Sequence, residues 1–449
     1  MNVFNAMEKA IKEMLVKTAV EILDKNPEKN CEKLYYLVSR TLKDPEAKAQ
    51  VDFVYKYYKE NKPTNEFVQN ILKTTDKRCL KKFFTNFFSN AVWFGLEQRV
   101  KIENEGGGVI PFVILISPSM RCNLSCTGCY AGNYSKQDDI SKEEVERIIS
   151  EARELGIYYI IILGGEPFIN NYMLDIYEKY DDMMFTPFTN GTMITEEIAD
   201  RLKKLGNVIP MLSLEGFEKE TDDRRGKGTF EKVIKAMEFL KKRGILFGVS
   251  SAVSSNNVDT VTSEQFIDML IEKGSKMSWY FLYMPIGENP DIKSMLSPKE
   301  RLYLGERTRK IRIEKPYFAI DFFNDAPYVG GCIAGKYYCH INSKEDVEPC
   351  IFSHFATDNI KEKPLKEVFN SKYFREIRSR QPYNNNLLMP CMMIDNPKVI
   401  REVVKKTNAY ATHASASKMI NDAKFMESLD NLSEEFKLEA DKAWKEIFK

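Results

Sequence analysis

Apolar and polar residues follow two different periodic patterns along this chain of 449 residues. Up to about residue 105 the apolar positions recur at helical spacing, as Met7, Ile11 and Leu15 do, and this spacing predicts helices. After the flexible joint Gly106–Gly108, short β-branched runs alternate with amphipathic stretches of ten residues or more. Such alternation predicts parallel strands that are joined by crossover helices.

The second region contains six predicted strands and four predicted helices. The strands are residues 111–118, 158–163, 183–188, 208–214, 246–253 and 279–284. The helices are residues 142–155, 195–205, 230–243 and 263–273. Because no Gly-x-Gly-x-x-Gly segment follows any of these strands, the pattern favours an α/β fold with a partial (β/α)6 barrel over an open dinucleotide-binding sheet.

These changes of pattern divide the chain into four expected segments. They are a helical N-terminal domain (1–105), the partial barrel (109–320), a small C-terminal domain (321–396) and a helical tail (397–449). The small domain is expected to contain a hairpin, and the charged end of the tail is expected to form a solvated cap.

Charge and hydropathy exclude several classes of partner. Lysine and arginine number 66 and aspartate and glutamate 65, which leaves a formal net charge of +1 and gives no reason to expect nucleic-acid binding. The longest apolar runs have about eight residues, whereas a transmembrane helix needs roughly 20. Since the N-terminus also lacks the apolar region of a signal peptide, we expect a cytoplasmic protein.

Nine cysteines in such a compartment point to metal binding rather than to disulfides. Cys122, Cys126 and Cys129 lie within eight positions, directly after the first predicted barrel strand. Three thiolates in one tight loop can hold three irons of a [4Fe–4S] cube and leave the fourth iron open. A zinc site is the alternative, but it would require a fourth protein ligand nearby, and the sequence offers none.

This loop, SPSMRCNLSCTGCYAG, resembles the CxxxCxxC signature of the radical S-adenosylmethionine (SAM) superfamily. Further motifs resemble that family in their order, and each follows a predicted strand, where barrel active sites are built. They are Gly164-Gly165-Glu166-Pro167, Thr189-Asn190-Gly191-Thr192, Ser213-Leu214-Glu215-Gly216 and Asp223-Arg224-Arg225-Gly226. The resemblance implies a barrel of radical SAM type, with a [4Fe–4S] cluster to which SAM binds exchangeably.

The resemblance also implies roles for single residues. Glu166 would accept hydrogen bonds from the SAM ammonium, Arg224 would bind the SAM carboxylate, and Tyr130 would lie beside the adenine. Capping of the next helix is the alternative role for Ser213 and Glu215. The implied SAM-binding residues are Tyr130, Gly164, Gly165, Glu166, Pro167, Asn190, Ser213, Glu215 and Arg224.

A second group of cysteines lies after the barrel, at Cys332, Cys339, Cys350 and Cys391. Their layout resembles a SPASM/twitch extension, which implies one auxiliary [4Fe–4S] cluster with these four ligands. Zinc or buried free thiols are the alternatives. Cys339 is the least secure ligand, and without it an iron would be open to substrate and His340 would become a candidate ligand.

The resemblance implies an enzyme that takes one electron from a flavodoxin or ferredoxin and cleaves SAM to a 5′-deoxyadenosyl radical. The radical would abstract an unactivated hydrogen from a peptide or small metabolite, and the auxiliary cluster would help to complete the reaction. The sequence identifies no separate acid-base residues.

Two other functions remain open from the residues. The aromatic face of residues 81–96 could pack on the barrel, or could contact a membrane peripherally and admit a lipid acyl chain for coupling or dehydrogenation. An iron-sulfur electron carrier or scaffold is the non-enzymatic alternative, and it conflicts with the complete Gly-Gly-Glu-Pro motif.

Overall fold

The computed structural model describes residues 45–132, 138–287 and 291–448, with a few isolated positions between 18 and 39. The predicted helical positions Met7, Ile11 and Leu15 lie outside the described residues. The described residues from 45 to 102 are helical almost throughout. Their helices are Pro45–Glu60, Lys62–Thr74, Lys77–Lys82, the wider π-helical segment Phe83–Phe94, and Gly95–Ile102.

Six parallel strands then alternate with helices, and each strand pairs with the next in the chain. The strands are β1 (Val113–Ile116), β2 (Tyr159–Ile162), β3 (Met184–Thr189), β4 (Met211–Ser213), β5 (Gly248–Val253) and β6 (Met277–Leu282). The helices are Lys142–Glu154, Tyr172–Lys179, Glu196–Leu205, Glu218–Arg225, Thr229–Lys242, Val258–Val261 and Glu264–Glu272. The predicted partial barrel is therefore confirmed, with its six strands and four main helices.

The crossover helices begin where the sequence supplies a capping side chain. Ser141, Thr195 and Ser263 each accept a hydrogen bond from the backbone N–H three residues later. Each such cap stabilises its helix by about 1 kcal/mol. Gly206, with φ 74°, ends the helix Glu196–Leu205 in the left-handed conformation that a side chain would disfavour.

The barrel sheet extends beyond the six predicted strands at both edges. Next to β6 lies the parallel strand β7 (Phe318–Asp321), and next to β1 lies the parallel strand β8 (Tyr338–Ile341). The strand β9 (Val347–Glu348) pairs antiparallel with β8 and forms the predicted hairpin. The strand order is β7-β6-β5-β4-β3-β2-β1-β8-β9, so the small C-terminal domain begins inside the barrel sheet.

The remaining chain packs against the barrel through short elements and one long helix. These elements are the helix Pro298–Glu314, which precedes β7, then β10 (Phe355–Ala356), the helices Leu365–Phe369, Lys372–Arg378 and Pro397–Thr407, β11 (Tyr410–Ala411), and the helices Lys418–Asn421 and Ala423–Ile447. The long last helix is not a solvated cap, because Leu429, Phe436 and Ala440 are buried. Phe436 stacks on the guanidinium of Arg301 at 3.9 Å.

The aromatic π-helical segment lies at the amino ends of the barrel strands. The ring of Phe87 meets Tyr159 edge to face at 5.4 Å and Phe112 at 6.2 Å. Asn86 Nδ2 donates to the carbonyl of Met183, just before β3, at 2.8 Å. The helix thus forms the floor of the barrel and lies at the end opposite the barrel's mouth.

The outer face of this helix carries an exposed apolar row, Phe88, Val92, Leu96 and Val100, at intervals of four residues. No helix in the described part of the chain is long and apolar enough to cross a bilayer.

Candidate active site

A cavity of about 370 Å³ runs along the inside of the barrel, from the mouth at the carboxyl ends of the strands towards the floor. The loop after β1 contributes Cys122, Cys126 and Cys129 to its upper wall. The predicted residues Tyr130, Gly164, Gly165, Asn190, Ser213 and Arg224 line the same cavity. The structure thus brings together residues that are about 100 positions apart in the sequence.

The three thiols of the loop share a polar environment. Cys122 Sγ lies 3.7 Å from Asn190 Nδ2, and Cys126 Sγ lies 4.0 Å from Arg225 Nη1. Burial raises the pKa of Cys122 and of Cys129, and their mutual charge repulsion adds to this effect. Burial thus favours the neutral thiols of Cys122 and Cys129, and a positively charged group such as an iron cluster would stabilise their thiolates.

The Gly-Gly pair after β2 allows two backbone segments to approach closely. A Cβ on Gly164 would lie 2.1 Å from the carbonyl oxygen of Ser119, and one on Gly165 would lie 2.1 Å from that of Arg121. The amide of Gly165 donates to the Ser119 oxygen at 3.0 Å. Only glycine at both positions therefore lets the loop after β2 pair with the start of the cysteine loop.

Glu166 is buried, and both of its carboxylate oxygens bind protein donors. Oε1 accepts from the Phe168 amide at 3.1 Å and from the Thr189 hydroxyl at 2.6 Å, and Oε2 accepts from the Asn190 amide at 2.8 Å. Burial raises the pKa of Glu166 although these hydrogen bonds oppose the rise. The carboxylate therefore holds the loop after β3 in place, and its expected contact with the SAM ammonium stays a prediction.

A buried group with two arginines and one glutamate lies on the other side of the cysteine loop. Glu215 Oε1 accepts from Arg224 Nη1 at 2.6 Å and from Arg225 Nε at 2.8 Å, and its Oε2 accepts from the Ala252 amide at 2.9 Å. Burial raises the pKa of Glu215, but the two guanidinium groups outweigh it and lower that pKa below its ordinary value. One positive charge remains beside the cavity, where a carboxylate can bind.

The other predicted residues around the cysteine loop are held by packing. The ring of Tyr130 meets Phe352 edge to face at 5.8 Å. A Cβ on Gly287 would lie 2.2 Å from the carbonyl of Cys129, so the segment after β6 fits tightly over the loop. Pro167 is buried at the first position of a short turn that continues to residue 169.

Cys332, Cys350 and Cys391 form the second group of thiols. The Cys332 thiol interacts electrostatically with Cys350, and Cys391 with Cys332. Tyr338 donates a hydrogen bond from its hydroxyl to Cys350 Sγ at 3.0 Å and also lines the main cavity. Burial raises the pKa of Cys332 to about 12 and that of Cys350 to about 11.

Cys339 does not join this group. It follows Tyr338 on β8, and successive side chains of a strand face opposite sides of the sheet. Since Tyr338 faces Cys350, the thiol of Cys339 faces away from it and lies fully buried in the hydrophobic core. Burial is the sole cause of its raised pKa, whereas the other three cysteines feel neighbouring charges. This placement does not support the four-cysteine ligation that the spacing led us to expect.

Both groups of thiols fit iron-sulfur clusters. Backbone N–H groups donate to sulfurs in both groups: from Leu124 to Cys122 at 3.5 Å, from Met393 to Cys391 at 3.3 Å and from Phe352 to Cys350 at 3.5 Å. No three His, Cys, Asp or Glu side chains in residues 45–132, 138–287 and 291–448 converge on a position for a single metal ion. A cube binds each thiolate at a different iron, so thiols that do not converge on one point suit a cluster better than they suit the zinc alternative.

Family models match the two cysteine regions separately. The model described as the radical SAM superfamily matches residues 116–270, and that of an iron-sulfur cluster-binding domain, SPASM, matches residues 332–394. Residues 116–270 therefore form a radical SAM domain, and residues 332–394 form a SPASM domain. The protein is a radical SAM enzyme that binds SAM and a [4Fe–4S] cluster in its barrel, and its SPASM region binds auxiliary iron-sulfur.

Curated relatives resemble this radical SAM enzyme over most of their own length. The AdoMet-dependent heme synthase of Methanosarcina barkeri is 27% identical over 288 residues, which cover 57% of this chain and 82% of that protein. Mycofactocin maturase MftC of Mycolicibacterium smegmatis is 28% identical over 308 residues, which cover 63% and 76%.

Solved structures show the same fold at low sequence identity. Streptococcus suis SuiB bound to its precursor peptide SuiA matches with a TM-score of 0.56 and 20% identity, over 72% of this chain and 79% of that one. The structure of anSMEcpe with bound AdoMet matches with a TM-score of 0.52 and 19% identity, over 71% and 99%.

The structure also explains His340, which the sequence left as a candidate ligand. Its ring lies 2.7 Å from Ser117 Oγ through Nε2 and 2.7 Å from Glu348 Oε2 through Nδ1. All three side chains are fully buried and lie outside the cavity lining. His413 contacts the carbonyl of Gly132 at 3.0 Å. These histidines therefore fix β1, β8 and the cysteine loop of this radical SAM enzyme relative to one another.

Two site residues were not identified from the sequence. Arg225 stands beside the predicted Arg224 and is the more buried of the two, so the repeated arginine was the available signal. Tyr338 had no signal, because only the pairing of β8 with β1 brings its hydroxyl to Cys350 and its ring to the cavity.

We expect Glu166→Gln to weaken SAM binding and to lower the thermal midpoint together. Either orientation of the amide places an NH2 group against at least one backbone N–H, and an unsatisfied buried donor costs about 1–3 kcal/mol. The loop that carries Asn190 should therefore shift. Equilibrium binding of SAM to the reconstituted protein and a thermal unfolding curve measure both effects, with the exposed Glu435→Gln as the matched control.

A fall in SAM affinity without any change in the thermal midpoint would instead favour direct contact between Glu166 and the SAM ammonium.

Proposed function

We propose that this radical SAM enzyme abstracts a hydrogen atom from an unactivated carbon of an organic substrate bound inside the barrel, and that the auxiliary cluster helps to complete the reaction. One observation carries the proposal. A single cavity is lined at its mouth by Cys122, Cys126 and Cys129 and on its side by Tyr338, which touches Cys350 of the auxiliary group. A substrate in that cavity would lie between the two iron-sulfur sites.

When bound, the cluster and SAM supply reductive cleavage of the sulfonium and hydrogen-atom abstraction. The chain's own part is to bind and orient. The Gly164-Gly165 backbone, Asn190, Ser213 and the pair Arg224 and Arg225 would hold SAM at the mouth, and the surplus positive charge of the arginine pair would face the SAM carboxylate.

The walls below the mouth exclude water from the reacting groups. Phe188, Trp279, Phe281 and Phe322 surround the middle of the cavity with aromatic rings. A dry site of this kind protects a reactive species from side reactions with solvent. The aromatic walls therefore support chemistry at an apolar carbon.

The partners follow from the same chemistry as further proposals. Reductive cleavage of SAM needs one electron, so we infer a flavodoxin or ferredoxin donor and a reducing, cytoplasmic setting. The names of the relatives, a heme synthase and a mycofactocin maturase, support SAM-dependent modification of an organic molecule. A peptide or small-metabolite substrate, as expected from the sequence, stays a prediction.

The test is anaerobic reconstitution followed by incubation with SAM and dithionite. We expect about eight iron atoms per chain, which corresponds to two [4Fe–4S] clusters, and formation of 5′-deoxyadenosine. Iron analysis and chromatography of the nucleoside measure both. A fully loaded protein that forms no 5′-deoxyadenosine would contradict the proposal.

A further inference from the structure

The lower part of the cavity is formed by apolar side chains from several neighbouring strands. They alternate along each strand with residues that face the helices, so that every second side chain points inwards. The apolar residues among them are Val113 and Leu115 on β1, Tyr159 and Ile161 on β2, Phe188 on β3, and Trp279 and Phe281 on β6. Between β3 and β6, the strands β4 and β5 contribute the small side chains Ser213, Ser250 and Ala252.

The aromatic rings in this region form one continuous wall. Trp279 stacks with Phe281 at 5.6 Å, and Phe281 contacts Phe322 at 5.3 Å. Phe322 in turn meets Tyr338 edge to face at 6.0 Å. Because Phe322 follows the edge strand β7 and Tyr338 lies on β8, which is next to the opposite edge strand β9, the wall bridges the two ends of the sheet and closes the barrel sideways.

No unpaired charge faces the lower cavity. Arg224 and Arg225 are the charged residues among the described residues that line the cavity, and both bind Glu215 near the mouth. The hydroxyl of Tyr159 is already bonded to Thr186 Oγ1 at 3.1 Å. The Trp279 N–H, which has no hydrogen-bond partner among the described residues, and the small side chains of Ser213 and Ser250 also line this space. A substrate carboxylate, amine or peptide backbone placed here would therefore lose most of its hydrogen bonds to water.

The shape of this space suits a chain. Leu163 and Tyr159 line the cavity at the two ends of β2, four residues apart, which corresponds to a depth of roughly 13 Å. At the bottom, Tyr159 and Phe112 rest on Phe87 of the floor helix. A hydrocarbon chain can fill such a depth along its whole length, whereas a peptide would bring polar backbone with it.

We propose that the part of the substrate held in the lower barrel is an uncharged hydrocarbon chain, of the kind found in fatty acids and membrane lipids. This inference rests on the proposed function, since it names the substrate class of the same site. The polar end of such a molecule would stay at the mouth. A membrane lipid and a free fatty acid are the two sources of such a chain, and the experiment distinguishes them.

The experiment uses Trp279 as a reporter in the reconstituted holoprotein. The chain has three tryptophans, so Trp93→Phe with Trp444→Phe leaves Trp279 alone. Bromine atoms quench indole fluorescence on contact. One arm adds dibromostearic acid, and the other adds phosphatidylcholine vesicles with brominated acyl chains, each against its unbrominated counterpart. Quenching in either arm is expected, and the arm identifies the source.

A pair of matched variants locates the binding. Ile161→Phe enlarges a side chain inside the lower cavity, whereas Ile313→Phe makes the same change on an exposed helix surface. We expect Ile161→Phe to raise the probe concentration for half-maximal quenching roughly tenfold, because overpacking excludes the chain. Ile313→Phe should leave that concentration unchanged. Iron content and the thermal midpoint confirm that both variants are folded and loaded.

Absence of quenching in both arms, or equal quenching in Ile161→Phe and Ile313→Phe, would overturn the proposal. Formation of 5′-deoxyadenosine from SAM is measured on the same samples. If it forms while the chains do not quench, the substrate class fails and the proposed function stands. If no 5′-deoxyadenosine forms in fully loaded protein, the proposed function fails irrespective of the quenching result.

Discussion

Changing Cys122, Cys126 and Cys129 together to Ala is expected to abolish SAM cleavage while leaving about four iron atoms on the protein. The reason is the separation of the two thiol groups: these three lie on the loop after β1, whereas Cys332, Cys350 and Cys391 lie beside β8 and the segments that follow. Iron analysis, sulfide analysis and assay for 5′-deoxyadenosine measure the outcome.

The matched control for this triple variant is Cys79→Ala, at a buried thiol on the N-terminal helix Lys77–Lys82, far from both groups. It should retain about eight irons and full cleavage. Residual 5′-deoxyadenosine from the triple variant would show that the catalytic cluster has been assigned to the wrong cysteines.

The second large effect concerns the auxiliary site, where we infer three cysteine ligands instead of four. Cys391→Ala should lose about four of eight irons, because two thiolates are too few to hold a cube. Cys339→Ala should keep about eight irons, since its thiol faces the core, and should cost about 1 kcal/mol of stability through lost buried surface. Iron counts and EPR spectra of the reduced proteins separate the two variants.

If three cysteines hold the auxiliary cluster, one of its four irons has no cysteine ligand. Its EPR signal should then change when a small thiol or amine is added to wild type. If Cys339→Ala has a normal thermal midpoint but only half of the iron, the protein is folded and has lost the auxiliary cluster. That result would support ligation by four cysteines.

The cysteine loop after β1 could be identified from the sequence because its three predicted ligands lie close together in the chain. Cys122, Cys126 and Cys129 lie within eight consecutive residues, and their spacing alone limits which metal groups they can bind. The Gly164-Gly165 pair could also be recognised in the sequence, because the close approach of two backbone segments requires glycine. The alternation of predicted strands and helices likewise predicted the barrel, because hydrophobic periodicity is a local property of the sequence.

The auxiliary site depended on contacts that spacing does not encode. Whether Cys339 joins Cys332 and Cys350 is decided by which face of β8 each side chain takes, and that face is set by the pairing of Ile114 with Cys339 across β1 and β8. A shift of one residue in this register would exchange the faces of Cys339 and Tyr338, and the spacing of the cysteines does not specify the register.

The sequence by itself determined the fold class, the order of the motifs predicted to bind SAM and the three thiols of the barrel, because each of these is encoded in short runs of residues. Tertiary structure alone decided that Glu166 binds the Asn190 amide, that Arg224 and Arg225 share Glu215, and that aromatic side chains from distant strands enclose one apolar cavity. The physical reason is that burial and pairing arise between strands and loops far apart in sequence, where the energy of a contact depends on which segments the sheet places side by side.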